Sequence, residues 1–113
     1  MSIYGLIDEI LTPVGIPVFP IAKKGTPTTY ITYSQYAEES ALIINDKETH
    51  TGYYIQVDLW TKDNMKYVEL SEKIKKALVD AGFIRRASAD LYETDTQIYH
   101  KGMRFYYVYK QSN

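Results

Sequence analysis

Apolar and polar positions alternate from Tyr53 to Trp60, with Tyr53, Ile55, Val57 and Leu59 on one side and Tyr54, Gln56, Asp58 and Trp60 on the other. That period of two predicts a strand. The first set is oily and expects a core. The second is mixed, neither oily nor freely wet, and raises the question of what it faces. The stretch TTYITYSQY predicts another strand, with Ile31 and Tyr33 on one side and Tyr30, Thr32, Ser34 and Tyr36 on the other.

The period changes to that of a helix in two places. Ile3, Leu6, Ile7, Ile10 and Leu11 lie on one face of a first helix, capped by Ser2 and stopped by Pro13 and Gly15. Tyr67, Leu70, Ile74, Ala77, Leu78 and Ala81 form the stripe of a second, capped by Asp63 or Thr61 and ended at Gly82. The segment with Pro13, Pro17, Pro20 and Pro27 reads as extended and turn-rich, with a short strand near Val18 and Phe19. AEESALIINDKETHTG reads as a long hairpin arm or a mobile loop, with a short strand at Ala41 to Ile44. FIRRAS is expected as a short strand. A final hairpin is expected to turn at His100, Lys101 and Gly102, its return strand carrying Met103, Phe105, Tyr107 and Tyr109 on one side. The expected fold is α+β: a two-layer sandwich with a mainly antiparallel sheet of about four to five strands and two helices on one face. On this reading nothing remains to cover the face of Tyr54, Gln56 and Trp60.

Length and composition add limits. A chain of 113 residues suits one domain, 1–113, with one ordinary core. It has no cysteine, which fits a reducing compartment and leaves no disulfide to form. No apolar run reaches the ~20 residues of a membrane span. The start, MSIYGLIDEILTP, lacks a basic leader, so a soluble protein made in the cytoplasm is expected. Thirteen basic against fourteen acidic residues give a net charge of −1, unlike the basic balance usual for a nucleic-acid binder. Twelve tyrosines fit strands and also half-buried interfaces, because a large ring carries a polar tip.

Candidate chemistry is sparse, and no cofactor or metal is expected. His50 and His100 stand apart, each in or beside an expected turn, and read as solvated or hydrogen-bonded surface histidines rather than ligands. Asp90, Glu93 and Asp95 read as a solvated acidic edge, and catalysis would require Asp90, Glu93 and His100 to share a pocket. Lys73, Lys75, Lys76, Arg85 and Arg86 read as a solvated face with pairs such as Glu69 to Lys73 and Glu72 to Lys76; the sharper alternative is a basic rim.

Three blocks carry a resemblance: the strand ending VDLWTKD with the helix VELSEKIKKAL, then AGFIRRASADLYETDTQIYHK, then MRFYYVY. With the lead-in IPVFPIAKKGTPTTYITY, the chain resembles small tail-completion and head–tail joining proteins of tailed bacteriophages and prophages of Gram-positive bacteria. The resemblance implies a non-enzymatic tail-terminator-like subunit that forms a ring, commonly a hexamer, at the head-proximal end of the tail tube. Its implied partners are further copies of itself, the tail tube protein and a neck or head-completion protein. DNA would pass through the lumen without specific binding, and no membrane is involved. The implied location is the virion, assembled in the host cytoplasm. A ring subunit needs a surface sticky enough to associate yet tolerant of water beforehand, and Tyr30, Tyr36, Tyr54, Gln56, Asp58 and Trp60 suit that task. The 38–50 arm is expected to supply part of a complementary patch. Alternatively, Trp60 closes the sheet's own core from the edge. Rival functions are a head-completion protein on the portal side and a nucleic-acid-binding domain that stacks bases on an aromatic sheet.

Overall fold

The computed structural model describes residues 2–111. Helix α1 (Ile3–Leu11) runs into a 3-10 turn (Thr12–Val14), then β1 (Val18–Pro20), β2 (Tyr30–Ile44), β3 (Lys47–Thr61), α2 (Asn64–Asp80), β4 (Ile84–Glu93) and β5 (Ile98–Lys110). The strands form one five-stranded sheet in the order β1-β2-β3-β5-β4. Only the short β1 pairs in parallel, with β2; the other pairings are antiparallel. The fold is the α+β sandwich that the alternation predicts.

Local chemistry sets the element ends. Ser2 Oγ accepts from Gly5 N at 3.1 Å and starts α1. Asp63 Oδ1 accepts from Met65 N and Lys66 N at 2.9 and 3.1 Å and starts α2. Thr61 is not the cap: it is fully buried and bonds Thr29 at 2.8 Å. The α2 stripe holds except at its end, where Ala81 is exposed, while Ser71 is buried and gives its hydroxyl proton to Tyr67 O at 2.6 Å. On the outer face Lys76 pairs with Asp80 at 2.8 Å rather than with Glu72, and Glu69 and Lys73 form no ion pair.

Both helices pack on one sheet face. Ile7, Leu11, Ile74 and Leu78 meet Ile31, Ile55, Val57, Leu59 and Phe105, all fully buried. Phe83 enters the same core just after α2 and stacks on Tyr107 at 4.3 Å. Tyr33 is buried in the core, its one hydroxyl proton shared between Tyr4 O and Asp8 Oδ2, both at 3.2 Å. Burial, with Asp8 second, pushes its hydroxyl up to about 12.

Two expectations change. The segment from Ile98 to Lys110 is one continuous strand, so no turn lies at His100 to Gly102. The reversal falls at residues 94–97, where Gln97 has φ 58°, and β4 is a full ten-residue strand rather than a short FIRRAS piece. His100 and Gly102 look turn-like by type, but here they alternate with Lys101 and Met103 across a pleat. For the 38–50 segment the expected hairpin arm holds and the alternative of a mobile loop does not. The segment is the far end of a hairpin whose two-residue turn, Asn45-Asp46, has both residues at positive φ (53° and 62°). Only β2 and β3 pair in that region, because β5 joins at His50. The arm lengthens the molecule to 53 × 23 × 22 Å and raises the radius of gyration to 15.3 Å. A compact chain of this length would have about 13 Å.

Candidate assembly interface

The face opposite the helices is built by direct register. Tyr30, Trp60 and His100 stand abreast across β2, β3 and β5, followed by Thr32, Asp58 and Gly102, then Ser34, Gln56 and Arg104. Tyr54 and Tyr106 come next, and a bulge between Gln35 and Ala37 turns Tyr36 toward them. β2 is therefore the neighbour of β3, and all six residues singled out in the sequence lie on one face.

At one end of that face sits a stack. Trp60 is flanked by His100 at 3.7 Å and Tyr30 at 6.0 Å, with planes tilted by 11° and 15°. Its indole N–H donates to Thr32 Oγ1 at 3.0 Å. Trp60 thus stands on a central strand of the open face and closes no core edge. Both sides of the indole are occupied by neighbours from adjoining strands, which leaves little room for a stacked base.

This corner is also covered from within. Ile21, at φ 70°, turns the chain tightly as Ala22 N donates to Pro20 O at 2.8 Å. The following loop brings Lys23 over the Tyr30 ring at 5.1 Å, and Tyr30 is only 8% exposed. Burial raises its hydroxyl pKa, with Glu93 adding to the effect. The expectation that no part of the chain covers this face is corrected at Tyr30 and at Thr32, which is also 8% exposed.

The middle is a polar ladder. Arg104 Nε donates to Gln56 Oε1 at 2.9 Å, Gln56 Nε2 donates to Asp58 Oδ1 at 3.0 Å, and His100 Nε2 meets the same oxygen at 2.7 Å. The Asp58 carboxylate therefore has two partners on a half-buried surface, where an unpaired one would be costly. Among the described residues no buried side-chain nitrogen or oxygen lacks a partner. His100 is a hydrogen-bonded strand residue, not a turn residue. His50, also on a strand, has Nδ1 3.0 Å from Thr49 Oγ1.

At the arm's base the aromatics gather again. Tyr54 lies 5.8 Å from Tyr36 and 4.7 Å from Tyr106. Arg104 sits 4.8 Å over the Tyr36 ring and Arg86 5.5 Å over Tyr54. Tyr54 donates to Glu39 Oε1 at 2.7 Å, a bond that raises the phenol pKa. Gly52 is a residue that sequence patterning missed. A methyl group there would lie 2.4 Å from the Tyr106 hydroxyl oxygen, so only glycine lets that ring cross the strand. The signal was a lone glycine inside an otherwise regular strand.

Asp90, Glu93 and His100 do not share a pocket. Asp90 pairs across the sheet with Lys101 and points to the helix side, bonding Lys101 at 2.9 Å and accepting from Tyr67. His100 points to the opposite face, and Glu93 bonds Thr96 at 3.0 Å beside the turn that holds Asp95. Among the described residues no group of three His, Cys, Asp or Glu is placed to hold a metal. Among the described residues no helix is long and apolar enough to cross a membrane.

No protein-family model matches this chain, and no curated protein matches it. Among solved structures, a chain from the virion of a native gene transfer agent (GTA) particle is similar in fold. The TM-score is 0.64 at 16% sequence identity, covering 90% of this chain and 84% of that chain. At that identity the likeness establishes the fold.

Proposed function

We propose that this chain is a non-enzymatic structural protein of a virion, acting as a ring-forming tail-completion subunit. The observation that carries the reading is an open, internally bonded aromatic and polar sheet face, on a fold shared with a chain of a virion particle. Such a face tolerates water while alone and excludes it when covered, as an assembling subunit requires. The resemblance of the blocks from VDLWTKD to MRFYYVY supports the finer role: a ring, commonly of six, on the head-proximal end of the tail tube, ending its growth and offering a surface to a neck protein. Tyr36, Tyr54, Gln56, Asp58 and Trp60 would form part of the contact, with Tyr30 flanking Trp60 from β2. DNA would traverse the lumen unread, consistent with a net charge of −1.

The test uses the tail-tube protein of the same particle, the partner this reading implies. Tubes polymerised with it present should stop at a shorter, sharper length distribution in electron micrographs, with extra density at one end. Unchanged lengths and bare ends would overturn the tail-completion role; density on the portal instead would favour head completion.

A further inference from the structure

The ring reading leaves open which surface receives the hairpin arm. The arm carries four carboxylates, Glu38, Glu39, Asp46 and Glu48, against one ammonium, Lys47. Its tip exposes Leu42, Ile43 and Ile44 by 45%, 60% and 52%. The open face has a hollow of about 330 Å³ with opposite properties. Ala87, Ala89 and Gly102 keep its floor low, Leu91 gives it an apolar wall, and Arg104 stands at its rim. Arg86, exposed beside Ala87, adds a second guanidinium. The arm cannot reach the hollow of its own copy. His50, opposite Leu42, lies eight positions along β3 from Asp58, opposite Gly102. That is about 26 Å at ~3.3 Å per residue, and the arm continues in the outward direction.

Resting on the self-assembly reading, we propose that the hairpin tip of one copy seats in this hollow of the next copy. Ile43 would cover the Ala87–Ala89–Gly102 floor, and the arm's carboxylates would face Arg86 and Arg104. The two surfaces differ, so the contact is heterologous: each copy gives an arm and receives one, which closes a ring or extends a filament. The arm's apolar tip and the uncovered sheet face then serve one another.

The chain has no cysteine, so engineered pairs report cleanly. An Ile43→Cys protein is mixed with an Ala89→Cys protein and oxidised, with Ile43→Cys plus Lys24→Cys as the control pair. The proposal expects a disulfide-linked heterodimer as the main product of the first mixture and background in the control. It also expects the doubly substituted chain to give a ladder that ends at the ring's mass. Rings seen by light scattering with no Ile43–Ala89 cross-link above control would overturn this contact and leave the ring standing. Absence of both rings and cross-link would overturn both.

Discussion

The two faces of β3 are held by different physics. Ile55, Val57 and Leu59 are wholly buried under the helices, where removal from water does the work. Tyr54, Gln56, Asp58 and Trp60, interleaved with them, are only half-buried and are held by stacking and hydrogen bonds to adjacent strands. The first face fixes the fold. The second is satisfied without being covered, so a partner can be added to it with no prior unfolding and no unpaired polar atom.

Substitutions should separate the faces by size of effect. Ile55→Ala should be the most damaging, costing about 2–5 kcal/mol in a denaturant titration because it opens a cavity in the sealed core. Gly52→Ala comes next, at about 1–3 kcal/mol, since the methyl group must displace the Tyr106 ring. Its specific mark would be a shift of Tyr36, Tyr54 and Tyr106 ring resonances with α2 unmoved. Trp60→Ala loses two stacking contacts and the Thr32 bond, about 1–2 kcal/mol, and should weaken assembly while the monomer stays folded.

Asp90→Asn should cost less than about 1 kcal/mol, because the Asp90–Lys101 pair is largely exposed on the Asp side. The Tyr67 hydrogen bond, then Lys101, lowers the Asp90 pKa from its ordinary 3.8. Its contribution is therefore complete above the unfolded pKa and lost as pH falls through the folded one. The variant should match the parent in strong acid, fall progressively below it as pH rises through the lowered Asp90 pKa, and show the full difference above about pH 4, as read from stability at several pH values. Smallest in stability is Tyr36→Ala, already 44% exposed: its melting should barely move, while self-association falls. A stability loss as large as that of Ile55→Ala would show that the open face is merely a second core.

The alternation and the helix stripes were legible because each encodes burial directly: Ile31, Ile55, Val57, Ile74 and Leu78 all fall where the period places them. Turn chemistry misled where residue type competed with strand continuity. His100 and Gly102 suggest a turn, yet each fills a register position, the ring stacking on Trp60 and the glycine forming the hollow's floor. The length of the arm was obscured by its charges, which mark solvent rather than the absence of a strand. The polar ladder was unreadable because Gln56, Asp58, His100 and Arg104 meet only after β5 is set beside β3.

The most direct measurement is mass by light scattering on a size-exclusion column, over a concentration series of the unmodified protein. The account predicts a hexamer-sized species, or a monomer rising steeply to one closed mass without a ladder beyond it. A monomer at every concentration, with the Tyr36→Ala profile indistinguishable from it, would contradict the claim that the open face is an assembly surface.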